Sequence, residues 1–185
     1  MRIALLYPPP WKIPAPGEAP DAPDRKDGPP AEYREGDLDA DFYQIPYGLL
    51  SLGAQARRAG HEVKLLNLSA FPWSQVEEVL AALDADVYGM SCWTANRRGV
   101  GLAAKSLRRL HPRAHIVVGG PHATPLARQM LEHHPDIDTV TIGEGELTFL
   151  ELCERVGQGR SMRGLAGAAY RVKGKVELGP ARESI

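Results

Sequence analysis

The feature that most constrains this chain is a strict alternation of two hydrophobic rhythms. Five short apolar, β-branched runs occur in order: RIALLY at 2–7, EVKLL at 62–66, DVYGMS at 86–91, AHIVV at 114–118 and DTVTI at 138–142. The first is mostly apolar without alternation, as a strand buried on both faces must be. Helical periodicity fills the intervals. Leu49, Leu52, Gly53 and Ala56 share one face, with Gly60 placed as a left-handed stop. Val76, Val79, Leu80 and Leu83 make a second face, with Ser74 as its cap. Val100, Ala103, Ala104, Leu107 and Leu110 make a third, ended by Pro112. Leu126, Met130 and Leu131 mark a fourth helix; Phe149, Leu150, Cys153 and Val156 mark a fifth, ended by Gly157 and Gly159. Such alternation predicts an α/β fold, a doubly wound five-stranded parallel sheet with flanking helices and right-handed crossovers.

Two segments break the rhythm. From Pro8 to about residue 45 the chain is rich in proline and acid and nearly aperiodic. A loop of that length is either a mobile insertion or a flap that covers a ligand or docks a partner. Tyr33, Phe42, Tyr43 and Tyr47 suggest that its far end packs onto something. After Gly164, GAAYRVKGKVELG reads as a C-terminal β-hairpin turning at Gly174, with AAYRV and KVEL as arms, an appendage to the sheet. The expected organisation is a domain over 1–160, carrying the 8–45 insertion, and a hairpin or linker over 161–185.

Bulk properties exclude several classes. A formal net charge of −1 provides no field for nucleic acid or an acidic membrane. The opening MRIALLYPPP is broken by proline too early for a signal peptide, and no apolar run is long enough to span a bilayer. Two cysteines, Cys92 and Cys153, stand far apart in no metal-binding spacing, so a reduced, cytoplasmic protein is expected.

Four turns carry the chemistry: YPPPW at 7–11, SCWTAN at 91–96, GGPHAT at 119–124 and GEGE at 143–146. In a parallel α/β sheet such turns emerge together at the carboxyl edge, where open sheets bind ligands. One site for something broad and flat is implied. A dinucleotide needs glycines after the first strand, where this chain has prolines, which lack donors. No G-x-x-x-x-G-K-[ST] loop exists, and the carboxylates of GEGE would repel phosphate. A phosphoreceiver would need an aspartate where Ser91 and Cys92 stand, and a flavin site a hydroxyl-rich first turn. What remains is low bulk and exposed backbone at Ser91, Thr94, Gly119, Gly120, Thr124, Gly143 and Gly145. Taken singly, GGPHAT is a tight turn into a helix and GEGE a helix start with dipole-matched glutamates. Their joint occurrence at successive strand ends points to a site.

These residues resemble the cobalamin (vitamin B12)-binding domain that precedes the catalytic barrel of cobalamin-dependent radical S-adenosylmethionine (SAM) enzymes, methyltransferases in particular. The matching stretches are ALLYPP, YGLLSLGAQARRAGHEVKLLN, DVYGMSCWT, IVVGGPHATPL and DTVTIGEGELTFLEL, with GLAGAAYRVKGKV as the linker hairpin. The resemblance implies a Rossmann-like domain with the corrin ring on the carboxyl edge and the nucleotide tail tucked into the domain. Tyr7 and Pro8 belong to the first turn. Ser91, Cys92, Trp93 and Thr94 would sit beneath the corrin. Gly119, Gly120, Pro121, His122 and Thr124 would flank the tail, and Gly143, Glu144, Gly145 and Glu146 would close the far side.

Two absences refine what the resemblance implies. Cobalamin mutases and methionine synthase carry D-x-H-x-x-G after the first strand, with the histidine on cobalt. None of the six histidines here follows an aspartate by two residues, and His122 stands after the fourth strand. A cobalt without a protein imidazole is expected, with Trp93 either filling its lower face or serving as an ordinary loop aromatic. Radical SAM chemistry also needs three cysteines for a [4Fe–4S] cluster. Two isolated cysteines cannot supply it, so the cluster and SAM would belong to a C-terminal radical SAM domain in cis, absent here. The chain is then either a fragment of such an enzyme or a stand-alone carrier. The leading expectation is the cobalamin module of a methyltransferase working through methylcobalamin. The alternatives are a non-methylating enzyme of the tetrapyrrole cyclase type, or a regulatory α/β domain for another small ligand.

Overall fold

A computed structural model describes residues 1–9 and 46–183. From Pro10 to Ile45 the proline-rich insertion, with Tyr33, Phe42 and Tyr43, lies outside the described residues. The elements run in chain order as β1 (Arg2–Tyr7), α1 (Tyr47–Arg58), β2 (Glu62–Asn67), α2 (Trp73–Ala82), β3 (Val87–Ser91) and α3 (Arg97–Leu110). They continue as β4 (His115–Gly119), α4 (Ala127–His133), β5 (Thr139–Thr141), α5 (Glu146–Gly157), β6 (Ala168–Val172) and β7 (Lys175–Leu178).

The sheet order is β2-β1-β3-β4-β5-β6-β7, with β1 to β5 mutually parallel. The chain steps to one side for β2, then crosses back past β1 for all later strands. The point of reversal, between β1 and β3, opens a crevice at the carboxyl edge. Strand alternation distributes the core to both faces. Ile3, Leu5 and Tyr7 pack with Leu49 and Ala56 of α1 and with Phe149 and Leu152 of α5. Ala4 and Leu6 face the opposite layer of α2, α3 and α4, with Val76, Leu80, Val100, Leu107 and Leu131. Burial of both faces explains why these strands are almost continuously apolar. Among the described residues no buried side-chain nitrogen or oxygen lacks a hydrogen-bond partner. Among them, too, no helix is long and apolar enough to cross a membrane.

Two expectations need correction. The sheet has seven strands, not five. The hairpin is no appendage: β6 pairs antiparallel with β5, with Thr139 opposite Tyr170 and Thr141 opposite Ala168. Ala168, Ala169 and Tyr170 are apolar on successive positions, so both faces of β6 are buried, and they cover the edge that β5 would otherwise leave bare. The turn between β6 and β7 uses Lys173 at φ 50° and Gly174 at φ 80°, the two left-handed residues of a tight hairpin. The second correction concerns Ser74. Pro72 is the N-cap residue of α2 and Trp73 its first residue, drawn into the core, which leaves Ser74 exposed on the first turn. Gly60, at φ 85°, closes α1 in the left-handed conformation its position predicts.

Candidate functional site

The second, third and fourth turns, with residues 7–9 of the first, meet at the carboxyl edge, and hydrogen bonds stitch them in series. The amide of Cys92 donates to the Gly119 carbonyl at 2.7 Å, and the amide of His122 donates to the Cys92 carbonyl at 3.1 Å. Gly143 N–H donates to Thr124 Oγ1 at 3.1 Å, which joins the third turn to the fourth. Thr94 Oγ1 and His122 Nδ1 lie 3.2 Å apart and add a side-chain link between the second and third. The first turn is tied in by Asn96, whose Nδ2 donates to the Pro8 carbonyl at 3.3 Å. The edge is therefore one connected surface rather than four independent loops.

Backbone geometry explains the glycines. Gly120 sits at φ 106°, and a Cβ there would lie 2.8 Å from the Cys92 carbonyl oxygen. A Cβ on Gly119 would overlap Thr141 Oγ1. Gly143, at φ 74°, lets the chain leave β5 sharply, and Gly145 then starts α5 as its N-cap. Glu146, the first residue of α5, accepts a hydrogen bond from Ser51 Oγ at 2.9 Å, which links α5 to α1 beside the edge. An anionic side chain in a first helical turn complements the helix dipole.

The expected site residues divide by what they expose. Trp93 is 43% exposed, and Thr94, Pro121, Gly143 and Glu144 are also open to solvent. Ser91, Gly119, Gly120, His122, Thr124, Gly145 and Glu146 are half-buried along the inner margin. Tyr7 and Cys92, both expected at the edge, turn their side chains into the core. Burial pushes the Cys92 thiol up to about 12 and raises the Tyr7 phenol too. These two residues, with the buried Pro8, offer the edge backbone rather than functional groups.

Beneath the edge a cleft of about 250 Å³ descends between α1, α5 and the ends of β3, β4 and β5. Leu49, Leu52 and Phe149 form apolar walls, while Gly89 and Gly119 keep the floor at backbone level. A Cβ on Gly89 would come within 2.8 Å of Leu5 Cδ2. Glu144 and Glu146 stand at the margin of the cleft. Pockets for whole small ligands usually measure about 300–1,000 Å³. This one admits part of a ligand whose bulk rests outside. Elsewhere on the described surface, Tyr47 and Leu50 of α1, Phe71 after β2, Trp93 after β3 and Leu147 of α5 are exposed.

Sequence reading missed Asn96, Gly89 and Thr141. Gly89 carried a legible signal, since an isolated glycine within a strand marks close approach. Asn96 reads as a helix N-cap, but its side chain makes no cap hydrogen bond and turns back into the loop. Thr141 is buried behind Gly119, a relation that no sequence interval announces.

The chain is similar in sequence and fold to known proteins. Residues 38–153 match the B12 binding domain family. An uncharacterized methyltransferase of Pyrococcus horikoshii is 32% identical over 142 residues, covering 76% of this chain and 31% of that protein. The cobalamin-dependent radical SAM methyltransferase TokK of Streptomyces tokunonensis is 30% identical over 99 residues, covering 53% of this chain and 14% of its own length. The radical SAM methyltransferase TsrM of Kitasatospora setae, solved with cobalamin and a [4Fe–4S] cluster bound, superposes with a TM-score of 0.66 at 19% identity, over 100% of this chain and 30% of TsrM. The chain thus spans less than a third of each relative. With 116 of 185 residues inside the family match (38 to 153 inclusive), the chain belongs to the B12-binding domain family.

Proposed function

We propose that this chain holds cobalamin across its carboxyl edge, as the cofactor-binding module of a radical SAM methyltransferase. The observation that carries the reading is the pairing of one connected, glycine-rich edge with a narrow apolar cleft beneath it. A corrinoid has that shape: a broad macrocycle with a thinner aromatic tail. The cleft is too small for the ring and suits a flat heterocycle, while the low edge gives the ring a place to lie.

The residue assignments follow from what each group presents. Leu49, Leu52 and Phe149 would bury the tail's heterocycle, and Gly89 and Gly119 would let it descend between α1 and α5. Gly119, Gly120, Pro121, His122 and Thr124 would flank the tail where it enters. Gly143, Glu144, Gly145 and Glu146 would close the far side. Ser91 and Thr94 bring hydroxyls to the ring's amide margin, and the exposed Trp93 indole would lie against the lower face, keeping water from the metal without a lone pair to donate. Bound cobalamin supplies a cobalt centre able to carry a methyl group between SAM and a substrate. The residues named here bind and orient it and exclude water. The [4Fe–4S] cluster and SAM would be held by a C-terminal domain in cis, because two cysteines cannot furnish a three-thiolate site.

Reconstitution with hydroxocobalamin, gel filtration and an absorbance spectrum test the binding reading. Coloured protein with one cobalamin per chain is expected. Colourless protein, with all corrinoid eluting free, would overturn it.

A further inference from the structure

We infer that Asn96 is a positioning residue that sets the placement of Trp93 on the cobalamin edge. The inference rests on the proposed cobalamin reading and adds to it a residue buried beneath the edge. Asn96 is 1% exposed at the start of α3. An asparagine at that position ordinarily caps its own helix by accepting from the amides of the first turn. Here the carboxamide does something else. Its Oδ1 accepts from the Trp93 amide at 2.7 Å, and its Nδ2 donates to the Ser91 carbonyl at 3.0 Å and the Pro8 carbonyl at 3.3 Å.

The three bonds join the carboxyl end of β3, the residue two positions on and the exit of β1. Ser91 ends β3 and Pro8 directly follows β1, so Asn96 ties the Trp93 backbone to the ends of two adjacent strands. Trp93 itself is 43% exposed and cannot be placed by core packing. An exposed aromatic whose main chain is gripped by a buried side chain points to a set height for the indole above the sheet. The amide of asparagine is the group that can do this, since it offers one acceptor and two donors in a plane. Aspartate keeps the acceptor for Trp93 and presents oxygen to both carbonyls.

A double-mutant cycle isolates the coupling. Cobalamin affinity of the full chain is measured by titration for the wild type, Asn96→Asp, Trp93→Leu and the double variant, with urea unfolding as a control on the apo protein. Trp93→Leu keeps the backbone amide that Asn96 holds and removes only the indole. If Asn96 acts through Trp93, Asn96→Asp weakens binding about tenfold in the wild-type background. In the Trp93→Leu background the same change costs less than about twofold. The visible spectrum of bound cobalamin should shift in Asn96→Asp in the same direction as in Trp93→Leu. Equal losses in both backgrounds, or unchanged affinity in folded Asn96→Asp, would overturn the positioning role. Should Asn96→Asp fail to fold, Asn96→Ser takes its place in the cycle under the same criteria. Wild-type protein that takes up no cobalamin would instead overturn the proposed function itself.

Discussion

Gly119 of β4 backs directly onto the hydroxyl of Thr141 in β5, with no room between them for a methyl group. Thr141 Oγ1 also donates to the Val118 carbonyl at 3.4 Å, so it is held in place from the neighbouring strand. This pair closes the deep side of the cleft, and it makes glycine a requirement at the turn.

Gly119→Ala should therefore cost about 1–3 kcal/mol of stability through overpacking and should abolish cobalamin uptake. Adding Thr141→Ala removes the obstructing hydroxyl and should recover part of the lost stability. Urea denaturation of the single and double variants checks the first claim, and absorbance after reconstitution checks the second.

Trp93→His addresses the lower face. Trp93 is exposed and bears no core packing, so apo stability should change by no more than about 0.5 kcal/mol. If Trp93 faces the metal as proposed, an imidazole in its place should change the visible spectrum of cobalamin-loaded protein. An unchanged spectrum would remove Trp93 from beneath the cobalt.

Both thiols are structural. Burial pushes Cys92 and Cys153 each up to about 12, so neither is a thiolate at mildly alkaline pH. Iodoacetamide should leave the folded chain unmodified and add two groups once urea unfolds it, read by intact mass. Labelling of Cys92 in folded protein would mean that the second turn opens.

Acid should destabilise the fold through two sets of groups. Burial lowers His115, whose Nε2 lies 2.9 Å from Thr139 Oγ1, and burial likewise lowers His61 and His134. The folded state keeps these imidazoles neutral, while the unfolded chain takes up protons below 6.5. Stability from this source is complete above 6.5 and falls as pH drops from there through the lowered folded values. Asp86, held low chiefly by the Arg2 backbone amide, contributes a further loss below 3.8. Thermal unfolding across pH should show the first decline, and His115→Gln should reduce its slope while leaving the second.

The hairpin turn offers a gain. Lys173 occupies a left-handed conformation that asparagine adopts with less strain. Lys173→Asn should raise stability by about 0.5–1 kcal/mol, measured as an increase in the urea midpoint at constant slope.

The parts of this fold legible in the chain were those set by local periodicity. Continuous apolar runs and repeating helical faces located β1 to β5 and α1 to α5 within a few residues, because burial on both sides of a parallel sheet leaves that imprint. Turns such as GGPHAT were legible because left-handed backbone demands glycine. Long-range relations were not. Nothing in AAYRV states that β6 will pair with β5, since the same apolar arm could serve a free hairpin packed on a helix. The cleft arises where Gly89 and Gly119, thirty residues apart, face α1 and α5 together. Asn96 was hidden because an asparagine before a helix has a common local use, and only the structure reveals a different one.

The hairpin has a topological consequence. Its descending arm starts beside Thr141 at the ligand edge, and its returning arm brings Leu178 back level with Ala169, after which Gly179 donates to the Ala168 carbonyl at 2.8 Å. Arg182 then pairs with Glu151 on α5 and fixes the last described turn of chain there. Arg182 thus lies near the carboxyl edge, on the α5 side of the sheet. Under the proposed reading, a radical SAM domain tethered after this segment would meet cobalamin on the edge at the high effective concentration of a linked partner.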